Sequence, residues 1–147
     1  MNSEKKTITI LMADDDSDDR LLTADAMVES RIINEFRFVE DGVQLINYLR
    51  GNGEFADREK YPIPGLILLD LNMPKMDGRE ALQEIKADKM LRRIPVVILT
   101  TSKAEEDMLK GYDLGAASYI AKPVTFEVLV ELMRTLGKYW VEFVELP

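Results

Sequence analysis

The sequence predicts a doubly wound α/β domain, and three observations carry that prediction. Short, fully apolar runs at residues 66–69 and 94–99 have the composition of strands buried on both faces. Longer segments between such runs carry apolar residues at intervals of three and four, as helices covering a sheet do. The alternation of strand and helix recurs through five βα units, which right-handed crossovers turn into one parallel sheet covered on both sides.

The elements follow in order. Residues 7–13 (TITILMA) make a β-rich first strand stopped by acids, and residues 17–29 a helix with Leu21, Leu22, Ala24, Met27 and Val28 at helical spacing. Residues 35–40 (EFRFVE) put Phe36 and Phe38 on one face by period two. Asp41 then caps a helix with Val43, Ile46 and Leu49 or Leu45 at helical intervals. Glycines, charges and two prolines mark 51–65 as the longest loop, before 66–69 (LILL) forms a buried central strand ending at Asp70. Residues 78–91 form a helix with Ala81, Leu82 and Ile85 on one face, and 94–99 (IPVVIL) a strand ending at Thr100. A helix at 103–114 with Met108, Leu109 and Tyr112, a strand at 118–121 and the Lys122-Pro123 break come next. The last helix carries Phe126, Leu129, Leu132, Met133 and Leu136.

Composition narrows the function. A chain of 147 residues suits one domain, 1–147, with a core at about 7–138 and an extension at 139–147. The net charge of −8 would repel a phosphate backbone, so direct nucleic-acid binding is not expected. Without Cys or His there is no disulfide, thiolate zinc site, thiol nucleophile or imidazole base. Charges interrupt every apolar stretch short of the ~18 residues of a membrane span, and residues 1–6 are polar, so the expected location is the cytoplasm.

Open α/β sheets place their sites beyond the carboxyl ends of the strands. Here those ends hold Asp14, Asp15 and Asp16, then Asp70, Thr100, and Lys122 before Pro123. Carboxylates held together repel one another unless a cation sits among them, and all-oxygen ligation points to Mg²⁺. Mg²⁺ beside a carboxylate, a hydroxyl and an ammonium is equipment for phosphoryl transfer, with Asp70 as acceptor and Thr100 and Lys122 holding phosphoryl oxygens. Against this, Asp18 and Asp19 read simply as acids at a helix N-terminus. Tyr119 reads equally as strand packing, and Tyr139, Trp140, Phe143, Val144 and Leu146 as tail packing or a partner surface.

In LMADD, LLDLNMPKMDG, ILTTS and YIAKP the sequence resembles the receiver domains of two-component response regulators, of the single-domain chemotaxis-regulator kind. That resemblance implies a flavodoxin-like (βα)5 sheet of order 2-1-3-4-5, with Asp70 phosphorylated by a histidine kinase phosphohistidine and slowly dephosphorylated. It implies that Asp14, Asp15, Asp70 and the main-chain carbonyl of Asn72 hold Mg²⁺, that Lys122 pairs with the phosphoryl group, and that Thr100 and Tyr119 switch. Such a protein is a signalling relay to a downstream protein target and not an enzyme with a separate substrate. The long loop with YPIPGLILLDLN, the DGREALQEIKAD helix, the IPVVILTTS strand and the C-terminal extension ending VEFVELP further resemble phytochrome-associated single-domain regulators, a resemblance that implies a phytochrome-like sensor kinase and a homodimer. Asp16, a third acid, and Thr101, after the switch threonine, depart from the chemotaxis pattern. A haloacid-dehalogenase-like phosphohydrolase needs a second carboxylate two residues after the nucleophile, where Asn72 stands. A docking module would not need the acids, and a flavin protein would need a Ser/Thr/Gly-rich loop after the first strand.

Overall fold

The computed structural model describes residues 8–30, 35–100, 118–121 and 125–144, with side chains described at all of these except 100, 118–121 and 136–144. Five parallel strands, β1 (Thr9–Ala13), β2 (Phe36–Val39), β3 (Pro64–Asp70), β4 (Val96–Thr100) and β5 (Ser118–Ala121), form a sheet in the order β2-β1-β3-β4-β5. The expected topology is therefore present. Strand order reverses between β1 and β3, which places the switch-point crevice beside Asp14 and Asp70.

Period-two alternation builds two cores on opposite faces of this sheet. Leu11, Ala13, Ile67, Leu69 and Ile98 face α2 (Gly42–Arg50) and α3 (Gly78–Ala87), meeting Leu45, Leu49, Leu82 and Ile85. Ile10, Met12, Leu66, Leu68 and Leu99 face the other way, toward Ala26 and Met27 of α1 (Ser17–Glu29) and Leu129 and Met133 of the C-terminal helix (Phe126–Val144).

Several expectations shift for local physical reasons. In α1, Leu21 and Val28 are exposed, and the face turned to the core is Thr23, Ala26 and Met27, because only that side meets the C-terminal helix. In α2, Leu45 and Tyr48 are buried where Val43 is exposed. Helix α3 stops at Ala87 instead of 91. The Asp88 side chain accepts from the N–H groups of Met90 and Leu91 and starts a 3₁₀ turn, Leu91–Arg93. The same two bonds, that from Leu91 foremost, hold the Asp88 carboxyl below the usual carboxylate range.

The segment read as a loop at 51–65 is packed. Gly51, in the left-handed region at φ +68°, caps α2, and the Arg58 guanidinium donates to the Tyr48 and Leu49 carbonyls at 2.8 Å each. Tyr48, Phe55 and Tyr61 pack in tilted and edge-to-face pairs with ring centroids 5.1–5.7 Å apart. Burial pushes the Tyr48 phenol up, and its hydroxyl donates to the Pro62 carbonyl at 2.9 Å.

The C-terminal helix runs unbroken to Val144 and so includes part of the extension drawn at 139–147. The helix expected at 103–114, together with Thr101, Lys122, Pro123 and Leu146, lies outside the described residues, and so do the side chains of Tyr139, Trp140, Phe143 and Val144. Among the described residues, no helix is long and apolar enough to cross a membrane.

Candidate functional site

Parallel register brings the acids together. Ala13 pairs with Leu69, so the next residues, Asp14 and Asp70, leave adjacent strands side by side. Carboxylate oxygens of Asp14, Asp15 and Asp70 all lie within 4.8 Å of one another. Asp14 is 0% and Asp70 3% exposed, whereas Asp15 faces solvent. Backbone donors orient the two buried groups: Asp16 N–H donates to Asp14 Oδ1 at 2.9 Å, and Asn72 N–H to Asp70 Oδ1 at 3.0 Å. Charge-assisted bonds of this kind fix a carboxylate more firmly than neutral ones do.

The surrounding backbone is held just as closely. Asp16 caps α1 by accepting from Asp18 N–H at 2.8 Å, while Asp18 and Asp19 sit in the first turn, where the helix dipole favours them. Buried Asp41 caps α2 through Gln44 N–H, and its other oxygen lies 3.7 Å from Lys75 Nζ. Lys75 adopts φ 66°, and the next carbonyl, of Met76, accepts from Gly42 N–H at 3.0 Å. The loop after β3 is thereby strapped to α2. Gly78 closes that loop: its N–H donates to the Leu71 carbonyl at 2.9 Å, and a Cβ there would lie 2.6 Å from both Asp70 O and Leu71 Cα. Gly78→Ala is thus expected to push the end of β3 outward and lower both stability and divalent-cation affinity. A variant matching the wild type in both melting temperature and calorimetric titration would show that this contact is not tight.

The residues expected at the site divide three ways. Asp14, Asp15 and Asp70 converge, and Asn72 is tied to Asp70 by its main chain. Thr100 ends β4 one residue beyond Leu99, the register partner of Asp70, and Tyr119 pairs with Ile98, both at the level of the backbone alone. Lys122 lies outside the described residues. Sequence reasoning missed Arg20, whose guanidinium donates to the Asp14 carbonyl at 2.8 Å and lies 3.7 Å from Glu40 and 4.5 Å from the centroid of the Phe38 ring. The available signal was its isolation: Arg20 is the single basic residue between Lys6 and Arg31.

Carboxylate oxygens only, from two buried side chains and one exposed one, suit a hard divalent cation and no soft metal. A parallel sheet of this order with acids at its switch point defines a receiver domain, the phosphorylatable module of two-component signalling. The family model of the response regulator receiver domain matches residues 10–134, and the chain belongs to that family. Response regulator Rcp1 of Synechocystis sp. is 40% identical over 138 residues, spanning 94% of this chain and 92% of that protein. The crystal structure of Rcp1 in its Mn²⁺-bound form matches with TM-score 0.77 and 39% identity, covering 95% of this chain and 99% of the other. The phosphorylated cyanobacterial phytochrome response regulator RcpA matches at TM-score 0.80 and 39% identity, over 97% and 99%. The bacteriophytochrome response regulator RtBRR matches at TM-score 0.80 and 42% identity, over 90% and 79%.

Proposed function

We propose that Asp70 accepts a phosphoryl group from the phosphohistidine of a sensor histidine kinase and that the resulting charge change redirects a protein surface. The observation that carries this reading is the convergence of Asp14 and Asp15 on Asp70, a carboxylate buried at the end of the central strand. Asp14, Asp15, Asp70 and the Asn72 carbonyl would hold Mg²⁺. When bound, that ion neutralises charge between the carboxylates and the phosphoryl oxygens.

The chain's own residues do the rest. An Asp70 carboxylate oxygen forms the new bond to phosphorus as the bond to the donor imidazole breaks, and the departing imidazole takes up a proton. Asn72 N–H fixes the plane of the Asp70 carboxylate for that approach. Thr100, which ends β4, and Lys122, which follows β5 in the sequence, are assigned the remaining phosphoryl oxygens, and Thr100 and Tyr119 the switch. Attack of water on the acyl phosphate slowly returns the resting carboxylate, so the protein acts as a timed relay and not as an enzyme with a turnover substrate. The kinship with RcpA and RtBRR, a phytochrome and a bacteriophytochrome regulator, supports a phytochrome-like, light-sensing kinase as donor. A protein target and a pairing of two copies belong to the proposal without support from that kinship.

Incubation with Mg²⁺ and acetyl phosphate, followed by intact-mass measurement, should show a gain of one phosphoryl group that chelation of the metal prevents. Unchanged mass would overturn the proposal, and steady phosphate release from sugar phosphates would replace it with a hydrolase.

A further inference from the structure

We propose that Arg20 is a positioning residue for the acidic trio: its bond to the Asp14 carbonyl sets the Asp14–Asp15 peptide so that both carboxylates meet Asp70. This rests on the reading that the trio holds a divalent cation.

Arg20 belongs to the first turn of α1, where its N–H closes onto the Asp16 carbonyl at 3.2 Å. From there its side chain, 13% exposed, reaches back over the end of β1 to donate to the Asp14 carbonyl at 2.8 Å. Two further partners keep it in that pose. The guanidinium carbon lies 4.5 Å from the centroid of the Phe38 ring, and Nη2 lies 3.7 Å from Glu40 Oε1. Both partners come from the end of β2, so one planar cation ties α1, β1 and β2 together next to the acids.

Asp14 is held at three polar atoms: its N–H on the Val39 carbonyl, its Oδ1 by Asp16 N–H, and its carbonyl by Arg20. Asp15 faces solvent, and the direction in which its carboxylate leaves the chain follows the plane of the peptide that Arg20 grips. Partners beyond the ligands themselves commonly govern metal affinity in this way.

The sign of the effect separates this role from plain electrostatics. A guanidinium this near the acids repels an incoming cation, so charge alone predicts tighter metal binding when Arg20 is removed. Positioning predicts weaker binding.

Calorimetric titration of Mn²⁺ into the metal-stripped full chain decides between them, with thermal melts in chelator run alongside. Arg20→Met, which keeps the apolar stem and loses every donor, should bind roughly ten- to hundredfold more weakly than the wild type. Arg20→Gln, neutral but able to donate, should recover part of that loss. Phe38→Leu changes no charge and alters a half-exposed side chain, and should weaken binding several-fold by loosening Arg20 alone. Binding by Arg20→Met equal to or tighter than that of the wild type overturns the proposal. Should Arg20→Met fail to fold, unchanged affinity in Phe38→Leu overturns it instead. A wild-type chain that binds no Mn²⁺ fails the metal reading itself, a separate outcome.

Discussion

Asp70→Asn is expected to carry no phosphoryl group after incubation with Mg²⁺ and acetyl phosphate under conditions that label the wild type fully. The substitution keeps the shape of the side chain, and its amide oxygen can still accept from Asn72 N–H, as Asp70 Oδ1 does at 3.0 Å. What disappears is the charge on the oxygen that would attack phosphorus, and an amide does not replace a carboxylate as nucleophile. Asp70, 3% exposed, ends the central strand. Asp15 shares the cluster but faces solvent, and Asp14 leaves the neighbouring strand. Intact mass and peptide mapping check the expectation, with circular dichroism to establish that the variant folds. Undiminished labelling, or label mapped to Asp14 or Asp15 in the wild type, would remove Asp70 from its assigned role.

The acids were legible in the sequence because strand ends are. Each apolar run stops where the sheet meets solvent, so the first charged residue after it falls at the switch-point edge, and Asp14 and Asp70 could be paired before any register was known. Asp41 was legible as a cap for an equally local reason, since a side-chain acceptor just before a helix, within reach of the N–H three residues on, is a short-range pattern.

What escaped depends on contacts between elements distant in sequence. Nothing local says that Arg20 turns back over β1 or that Phe38 lies beneath it, because those contacts exist only once β2 lies beside β1. The buried face of α1 was misjudged for a similar reason. Leu21 and Val28 share its helical periodicity, yet the C-terminal helix covers the side of Ala26 and Met27. The segment at 51–65 carried turn residues throughout and still closes into a packed aromatic cluster. Arg58 supplies donors to the open carbonyls of α2, a long-reach cap that composition does not reveal.

Leu69→Ala should have the largest effect on stability, a loss of about 3–5 kcal/mol by chemical denaturation. Leu69 is 0% exposed in the central strand, flanked by Ala13 on β1 and Ile98 on β4, and faces the core beneath α2 and α3. Helices anchored by caps and crossed by a five-stranded sheet cannot collapse into the space that three lost carbons leave, so the cavity term adds to the transfer term. Leu68→Ala, one residue earlier, should cost a similar amount while opening the opposite core, under α1 and the C-terminal helix. Leu21→Ala, at an apolar position of α1 that is 62% exposed, should change stability by no more than about 0.5 kcal/mol. The backbone ladder on both sides of β3 persists in all three variants, so divalent-cation affinity should change far less than stability does. A Leu69→Ala chain as stable as the wild type, or a Leu21→Ala chain as damaged as Leu69→Ala, would mean that the two faces of this sheet are not packed as described.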